Sequence, residues 1–494
     1  MTIKTYQQFI DGQWVDPASG QWIESIEPFS GAVWARIPRG NADDAEAAVL
    51  AAHRAFEADA WSGLTATQRG ALLRKLASLV ERDAAQLGLI EQRDNGKLIS
   101  EISLQVRNVA QWFYYYAGLA DKVGGDVIPV PRKDVFNYTR LEPLGVVVAI
   151  TPWNSPLALT AWKLAPALAA GNTVVVKPSE YTSASLFEFA RLVQEAGFPP
   201  GVVNVVSGFG PEIGEPLVSH SKVAKIAFTG GELGGQRISA MAAKDFKPVT
   251  LELGGKSPNI VFSDADIEEA VKGAVAGIFA AAGQTCMAGS RLLLHKDIHD
   301  HFVARLCEVA AGARIGDPSK METEIGPIAT REQFDRILTM IEMAKAEGAK
   351  CVLGGHALQG KEFGQGQFIA PTIFTEVSNH MRIAQQEVFG PVLCVLRFDS
   401  DDEAIAIAND VDFGLAAGVW TQDLHRALYC VDRIRAGTVW VNNYRSTSFA
   451  SPFGGYKRSG LGREGGVDAI KDYLQTKSVW ITTRPRRKNP FVLG

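Results

Sequence analysis

A cysteine and a glutamate in two short glycine-rich strings are the residues of this sequence best suited to covalent chemistry. Cys286 ends the string Gly283-Gln284-Thr285-Cys286, and Glu252 lies 34 positions upstream in the string 251–256. A thiolate is a strong nucleophile, and a carboxylate whose pKa is near the working pH can activate water, so the pair suits covalent catalysis followed by hydrolysis. The alternative is structural, because lone cysteines among small residues are usually small buried hydrophobic groups and a glutamate can simply be an ion-pair partner.

Two glycine-rich segments offer backbone N–H groups to a phosphate. Residues 207–210 and 228–235 each stand between a predicted strand and a predicted helix, where a helix N-terminus can bind phosphate. Neither matches the dinucleotide-binding fingerprint, since the first has one residue too many and the second lacks the middle glycine. Tight turns are the alternative interpretation. The expected position of the two loops favours nucleotide binding, because ligands of open α/β sheets bind beyond the carboxyl ends of the strands. Both loops would lie there, together with Asn154 and residues 177–180.

The composition is typical of a globular protein that acts on small molecules. With 494 residues the chain is too long for one hydrophobic core and predicts two or three domains. Apolar residues at 46% and charged residues at 21% exclude long disorder, and a net charge of −4 gives no electrostatic reason to expect nucleic acid or an anionic membrane as partner. The N-terminus lacks the apolar core of a signal peptide, and no apolar run approaches the roughly 20 residues of a membrane span.

The cysteines predict a reducing, cytoplasmic environment. They are far apart, odd in number and without a C-x-x-C pair, which argues against a disulfide framework and a structural zinc site, so no metal is expected. The five are Cys286, Cys307, Cys351, Cys394 and Cys430.

The first half of the chain is expected to place the glycine-rich loops on a sheet. Residues 6–27 alternate apolar and polar around Asp11-Gly12, which predicts small antiparallel strands, and the polar, strand-like stretch 124–141 predicts a projecting β-arm. Apolar residues at helical spacing predict helices over 41–60, 65–93 and 98–118. Short β-branched runs predict a parallel sheet covered by helices. These runs are 144–151, 173–177, 202–206, 226–229 and 249–253.

A second α/β segment follows Glu252 and continues to about residue 440. Its first helix, from Asp266 to about Ala282, would deliver Cys286 just past its end. Strands are predicted over 292–295, 392–398, 416–420 and 438–442, and helices over 299–311, 331–347 and 401–409. Residues 354–367 are predicted to form a surface loop. The aromatic run 112–116 is predicted to pack in a core or a subunit interface, and the basic cluster 484–488 is predicted to be a solvated terminus.

Several strings, in this order, resemble the aldehyde dehydrogenase superfamily over essentially the whole chain. They are Thr151-Pro152-Trp153-Asn154, Lys177-Pro178-Ser179-Glu180, Phe228-Thr229-Gly230, Glu252-Leu253-Gly254-Gly255-Lys256, Gly283-Gln284-Thr285-Cys286, Glu387-Val388-Phe389-Gly390-Pro391 and Pro452-Phe453-Gly454-Gly455-Tyr456-Lys457. The resemblance implies an α/β fold with a Rossmann-like parallel-sheet nucleotide-binding domain, an α/β catalytic domain and a small β oligomerisation arm. It places the NAD-binding domain at 1–122 and 142–253 with a return at 459–472, the catalytic domain at 254–458, and the arm at 123–141 and 473–494.

The family mechanism implies a role for each residue of a catalytic set. Cys286 would attack the aldehyde carbon while the Asn154 amide and the Cys286 backbone N–H bind the oxyanion. After hydride transfer, Glu252 would activate the water that hydrolyses the thioester, so the product would be a carboxylic acid. Glu464 resembles a second acidic position used as base or proton relay in some members, and a structural salt bridge is its alternative. Lys177 is counted with both the catalytic and the cofactor-binding residues.

NAD is the implied cofactor, and NADP is the less favoured one. Lys177 and Glu180 match positions that bind the adenosine ribose, where a carboxylate accepts hydrogen bonds from a free 2′-hydroxyl and repels a 2′-phosphate. Gly231 stands where many members have Ser, which removes one hydroxyl contact to phosphate. The implied cofactor-binding residues are Thr151, Pro152, Trp153, Lys177, Ser179, Glu180, Gly210, Thr229, Gly230, Gly231, Gly235, Leu253, Glu387 and Phe389.

The substrate pocket departs from the family pattern, because Ser155 stands where many members carry a bulky aromatic side chain. The hypothesis is a wide, partly polar mouth over an apolar slot, suited to a bulky, ring-containing or functionalised aldehyde rather than acetaldehyde. The implied pocket residues are Ser155, Trp162, Thr285, Met287, Thr447 and Phe449. The partners implied are a small-molecule aldehyde and further copies of the chain, in a homodimer or homotetramer.

Two other functions are compatible with parts of the sequence. A CoA-acylating semialdehyde dehydrogenase would pass the acyl group to CoA, but Glu252 disfavours this because a base that hydrolyses the thioester works against the transfer. An inactive binding protein of the same fold would be indicated by loss of Cys286 or Glu252, and both are present. Thiol esterase chemistry at Cys286 is expected only as a side activity.

Overall fold

The structure is a computed structural model that describes residues 3–484 and Phe491. Most of the predicted basic cluster, 485–488, and the last part of the predicted arm segment 473–494 lie outside the described residues.

In chain order the strands are β1 (Lys4–Thr5), β2 (Gln8–Ile10), β3 (Gln13–Val15), β4 (Trp22–Ile26), β5 (Val33–Pro38), β6 (Val127–Ile128), β7 (Val135–Pro143), β8 (Val146–Ile150), β9 (Thr173–Lys177), β10 (Val203–Val205), β11 (Val223–Thr229), β12 (Val249–Glu252), β13 (Pro258–Val261), β14 (Arg291–His295), β15 (Lys350–Leu353), β16 (Ala357–Leu358), β17 (Phe368–Ile369), β18 (Thr372–Thr375), β19 (Val392–Phe398), β20 (Phe413–Gly414), β21 (Ala416–Trp420), β22 (Thr438–Val441), β23 (Tyr456–Lys457), β24 (Gly460–Leu461) and β25 (Leu474–Thr482).

The helices are α1 (Ala42–Glu57), α2 (Asp59–Ser62), α3 (Ala66–Asn95), α4 (Ile99–Leu119), α5 (Pro156–Ala170), α6 (Ala184–Ala196), α7 (Glu215–Ser219), α8 (Glu232–Ala243), α9 (Ile267–Phe279), α10 (His299–Ala311), α11 (Arg331–Ala346), α12 (Arg382–Gln385), α13 (Asp401–Asn409) and α14 (Leu424–Arg433). Short 3₁₀ turns cover Ala120–Lys122, Ala280–Gly283, Lys361–Phe363 and Asp468–Tyr473, and a π turn covers Gly210–Gly214.

The first large sheet carries the glycine-rich loops. Its strand order is β24-β12-β11-β8-β9-β10-β2-β3, and β8 to β12 are parallel. Successive side chains of a strand face opposite sides, so Val147 and Ala149 pack with α3, α5 and α6, whereas Val146 and Val148 pack with α1, α7 and α8. Burial on both faces explains why these strands are continuous apolar runs. The predicted parallel sheet with helices on both faces is confirmed.

The second large sheet follows β12 and carries Cys286 in the segment after its first helix. Its order is β15-β18-β19-β14-β13-β21-β22, parallel except for the antiparallel edge strand β15. The α9, α10 and α11 helices pack on it through a core of aliphatic and Phe side chains. The fold class is therefore the expected α/β class, while the domain boundaries themselves stay a prediction.

Helix ends follow local signals at the start of the chain and depart from them near Cys286. Asn41 closes a capping box on α1, as its position predicts, and Gly96 ends α3 with a φ of 74°. The helix predicted to run to about Ala282 ends instead at Phe279, because Ala281 and Ala282 adopt left-handed φ angles of 52° and 50°. The prediction is thus three residues too long.

Three strands form the projecting arm. β7 pairs with β25 along nine residues each, and β6 lies on the other side of β7. β7 continues to Pro143, past the predicted end of the arm at 141. The apolar side chains of Phe136, Trp480 and Ile481 are exposed on this small sheet.

One further prediction is wrong in detail, and one element was not predicted. The predicted loop over 354–367 contains strand β16 and a 3₁₀ turn, and helix α14 has no counterpart among the predicted elements. Within the described ranges, no helix is long and apolar enough to cross a membrane. In that same part of the chain, no cluster of three or more His, Cys, Asp or Glu side chains could hold a metal ion, and all five cysteines are free thiols.

Candidate active site

Cys286 lies in a tight turn between α9 and β14. The turn requires Gly283, which has a φ of 71° and whose position leaves no room for a Cβ beside the Gly390 carbonyl. The half-buried Cys286 lines a cavity of about 140 Å³ together with Asn154 and Glu387. Burial, followed by the nearby negative charges of Glu387 and Glu252, raises the pKa of the Cys286 thiol to about 12. The thiol is therefore protonated at neutral pH until a base or a cation changes its surroundings.

Asn154 reaches the Cys286 turn from the end of β8. Its Nδ2 donates to the carbonyl of Gln284 at 3.0 Å, two residues before the cysteine. An amide that donates one N–H to the turn has a second N–H to offer in the same place. The predicted pairing of Asn154 and Cys286 around one reacting centre is thus geometrically possible.

Glu252 is a buried carboxyl with no fixed hydrogen-bond partner. Neither of its carboxyl oxygens has a partner among residues 3–484, and a Cβ at Gly454 would lie 2.7 Å from Oε1. Burial and then the charge of Glu464 raise the pKa of Glu252 well above its usual range, against the opposing effect of Lys163 and Arg463. A carboxyl of this kind holds a proton at higher pH than an exposed glutamate does, which suits a group that takes and releases protons in catalysis.

Lys163 connects Glu464 to the nucleotide loops, and sequence reasoning missed it. The fully buried Lys163 pairs with Glu464 and donates to Thr229 Oγ1 at 2.6 Å. Both alternatives for Glu464 therefore stay open, since it forms a salt bridge and also lies beside Glu252. The sequence did contain a signal for this residue, because Lys163 is a charged side chain in helix α5, whose other residues are mostly apolar.

A groove of about 300 Å³ runs over the carboxyl ends of β8, β9 and β11. The predicted residues that it brings together are Thr151, Pro152, Trp153, Lys177, Ser179, Glu180, Gly210, Thr229, Gly230 and Gly231. Helix α8 begins at this groove after Gly231, and a Cβ at Gly231 would meet only open space. Lys177 Nζ lies 3.7 Å from Glu180 Oε2.

The groove leads into the Cys286 cavity, where three more predicted cofactor residues lie. Glu387 accepts a hydrogen bond from the Gly255 N–H at 3.0 Å, and burial raises its pKa to about 7. Phe389 packs edge-on against Trp153, with ring centroids 5.3 Å apart. Leu253 lines the same cavity.

Some predicted site residues lie elsewhere. Gly235 faces the Leu253 side chain and not the groove, whereas Gly234 lines the groove. Lys177 lines the groove and is absent from the lining of the Cys286 cavity. Thr285 and Met287 line neither the groove nor the Cys286 cavity, and Met287 packs between the two large cores.

A second cavity, of about 440 Å³, lies near Cys286 without including it in its lining, since the Cys286 thiol acts on the pKa of the lining residue Lys97. The predicted pocket residues Trp162, Thr447 and Phe449 line it. Trp112 lines it too and stacks on Trp162 with centroids 4.7 Å apart, so the packing prediction for the aromatic run 112–116 is incomplete. Ser155 is buried behind the lining.

Comparison with known proteins gives a consistent result. Residues 14–479 match the model of the Aldehyde dehydrogenase family. The (Z)-2-((N-methylformamido)methylene)-5-hydroxybutyrolactone dehydrogenase of Acinetobacter baylyi is 47% identical, covering 99% of this chain and 100% of that protein. The betaine aldehyde dehydrogenase of Bacillus subtilis is 43% identical, covering 98% of this chain and 99% of that protein.

Solved structures give the same result. The betaine aldehyde dehydrogenase of Staphylococcus aureus in complex with NAD+ superimposes with a TM-score of 0.97 at 40% identity, covering 99% of this chain and 97% of that one. The NAD+ complex of an aldehyde dehydrogenase from Bacillus cereus gives a TM-score of 0.95 at 44% identity, covering 97% of each chain. With the family matched over nearly its whole length, the chain belongs to the aldehyde dehydrogenase family.

Proposed function

We propose that this protein oxidises an aldehyde to a carboxylic acid, with NAD as hydride acceptor and Cys286 as nucleophile. The observation that carries the proposal is the meeting of three features at one place. The Cys286 thiol lies at the inner end of the groove over the parallel strands, and its pKa responds to the buried Glu252 carboxyl. A nucleophile, a base and a site for a hydride acceptor are what the reaction needs.

The residues of the groove fit a dinucleotide. Gly230 and Gly231 present backbone and open space at the start of α8, where a pyrophosphate is favoured by the helix N-terminus. Gly254 has no room for a Cβ beside the Glu387 carboxylate, and since the Gly255 N–H holds Oε1, Oε2 is the oxygen that would accept from a ribose. NAD bound here would supply the hydride-accepting ring beside Cys286.

Cys286 would form the covalent bond to the substrate. Its sulfur bonds to the aldehyde carbon, the thiol proton passes to Glu252 or to solvent, and the electron pair of the C=O π bond moves to the oxygen, where the Asn154 amide and the Cys286 N–H stabilise the negative charge. Loss of hydride from the former aldehyde carbon leaves a thioester on Cys286. Because burial holds the pKa of the thiol at about 12, binding must bring a proton acceptor or positive charge close to it.

Glu252 would complete the cycle by hydrolysis. Its carboxylate takes a proton from water, the water oxygen bonds to the thioester carbon, and cleavage of the C–S bond releases the acid and regenerates the thiol. Glu464 and Lys163, which form an ion pair and both act electrostatically on Glu252, offer a route by which its proton can leave. A second carboxyl in contact with an ammonium can serve as a proton relay.

Glu180 should set the preference for NAD over NADP. In the Glu180→Ser variant we expect the ratio of kcat/KM for NAD to that for NADP to fall by about 10- to 100-fold, because a carboxylate no longer repels the 2′-phosphate. Initial rates with both cofactors at saturating aldehyde measure this ratio. Glu308→Ser, which removes an exposed acidic side chain on α10, is the matched control. An unchanged ratio in Glu180→Ser would remove Glu180 from cofactor selection.

A panel of aldehydes tests the proposed function as a whole. Purified protein with NAD alone should form NADH and a carboxylic acid from aromatic, branched or functionalised aldehydes, with higher kcat/KM than from acetaldehyde, because the cavity of about 440 Å³ is larger than acetaldehyde needs. Turnover that requires CoA would instead identify an acylating enzyme. No turnover despite NAD binding would favour an inactive binding protein.

The remaining features support a homodimer or homotetramer in the cytoplasm. The exposed Phe136 and Ile481, which are paired across strands β7 and β25 of the arm, form an apolar surface that a second copy could cover. Five free thiols suit a reducing compartment. The Acinetobacter relative is named for a ring-containing hydroxybutyrolactone, which is compatible with a bulky or ring-containing substrate here.

A further inference from the structure

The cavity on the substrate side carries charges that the proposed reaction does not use. Its lining combines the aromatic side chains of Trp112, Trp162 and Phe449 with the charged side chains of Lys97, Glu101 and Arg445. Charged groups inside a cavity are costly unless a partner compensates them. These charges therefore indicate the chemical nature of the part of the substrate that lies away from the aldehyde.

Lys97 is held so that one of its donors remains for a ligand. Its backbone N–H is fixed by Asn95 Oδ1 at 3.0 Å, just after α3 ends. Its Nζ donates to Ser155 Oγ at 2.7 Å and to Gln105 Oε1 at 3.0 Å. An ammonium has three donors, so the third can reach into the cavity. Ser155 adjoins Asn154, which places this ammonium close to the reacting centre.

Arg445 brings a second cation to the same cavity. Its backbone adopts a left-handed φ of 69°, and its Nη1 donates to the carbonyl of Ala276 at 3.0 Å. The positive charge of Arg445 is close enough to oppose that of Lys97, whose pKa is lowered by burial and also by this arginine. Two cations that repel each other in the lining of one cavity are both stabilised by an anion bound near them.

Acidic groups compensate this charge only in part. Glu101 accepts the Ala281 N–H at 2.8 Å with Oε1, while its Oε2 has no hydrogen-bond partner in the described part of the chain. Glu91 lies behind the lining and accepts the Leu157 N–H at 3.2 Å, and burial raises its pKa to about 7. Among the lining residues two cations accompany one carboxylate, and this excess of positive charge matches a monoanion. The negative charges of Glu101 and Glu91 oppose the effect of burial on the pKa of Lys97.

We propose that the substrate is an oxo acid, an aldehyde that also bears a carboxylate, and that Lys97 and Arg445 bind this carboxylate. The proposal rests on the proposed function, because it concerns the far end of the same substrate. The aldehyde end would lie at Cys286 and the carbon skeleton along Trp162 and Phe449. A charge-assisted hydrogen bond from each cation would fix the orientation of the acid.

Matched pairs of aldehydes test the proposal with the full-length protein and NAD. The pairs are 4-oxobutanoate with its methyl ester and 4-carboxybenzaldehyde with its methyl ester, and 4-trimethylammoniobutanal is the cationic probe. We expect kcat/KM for the acid to exceed that for the ester by at least about 10-fold in one pair or both. In Lys97→Met and in Arg445→Met this ratio should fall by about 10- to 100-fold, mainly through the KM of the acid.

Controls separate the proposal from folding and from the proposed function. Lys272→Met removes an exposed ammonium on α9 and should leave the acid-to-ester ratio unchanged. Thermal unfolding and NAD binding identify a variant that fails to fold, and the two cations give independent variants. Preference for the esters or for the trimethylammonium aldehyde, or an unchanged ratio in both folded variants, would overturn the proposal. No NADH from any aldehyde would instead overturn the proposed function.

Discussion

The Cys286→Ala variant should lose aldehyde oxidation by at least about 10⁴-fold while it still binds NAD. Without the sulfur, the aldehyde carbon has no nucleophile, and the thioester from which hydrolysis starts cannot form. The side chain lines the inner end of the groove but donates no hydrogen bond that shapes it, so its loss should leave the nucleotide loops in place. NADH formation measures the activity, and calorimetry measures NAD binding.

The other cysteines provide a matched control for this loss. Cys307 lies half-buried against the core of the second sheet, so Cys307→Ala removes the same chemical group without touching the cavity. We expect this variant to retain turnover, which excludes a general effect of thiol removal. Surviving oxidation in Cys286→Ala would show that another group attacks the aldehyde, and the proposed covalent mechanism would then be wrong.

Local sequence patterns predicted the strands and some helix ends, because their causes are local. Strand β9 has the predicted bounds 173–177, since five β-branched or buried residues in a row suit a strand covered on both faces. Helix α14 was missed because its Leu424 and Leu428 side chains are exposed and belong to none of the cores formed by the described residues. An amphipathic pattern whose apolar side faces solvent gives no reliable core signal.

Contacts between distant residues were harder to predict. Glu464 and Lys163 are 301 positions apart, so no spacing rule connects them, and only the fold brings them together beside Glu252. Gly235 was placed one residue away from the glycine that lines the groove, and one residue in a helix rotates the side-chain direction by about 100°. The glycine-rich string predicted the loop, but the position of the first turn of α8 decided which glycine faces the ligand.

The Glu252→Gln variant should form NADH in a rapid first turnover and then turn over about 10²- to 10⁴-fold more slowly than the unmodified protein. The amide has nearly the same shape as the carboxyl, so the attack by Cys286 and the hydride loss need not change. It cannot accept a proton from water, so the thioester should accumulate on Cys286. Rapid-mixing absorbance measures the burst, whose amplitude should approach one NADH for each active site.

The rate of deacylation, the slow step, should change with pH in the direction set by the raised pKa of Glu252. Burial and the charge of Glu464 raise the pKa of Glu252, so as pH falls through that raised value the carboxylate is protonated and water activation is lost. Deacylation in the unmodified protein should therefore accelerate with rising pH over that range, and Glu252→Gln should lose the acceleration. Glu269→Gln, an exposed carboxylate on α9, is the matched control and should keep it.

The shape of the first turnover decides between two roles for Glu252. If the variant is slow from the first turnover, without a burst, then Glu252 takes the proton from Cys286 before attack, and the raised pKa of the thiol would make that step limiting. If the burst is complete and only later turnovers are slow, then Glu252 acts on water alone. Because Glu252 lies close enough to raise the pKa of Cys286, geometry permits both roles, and the burst amplitude separates them.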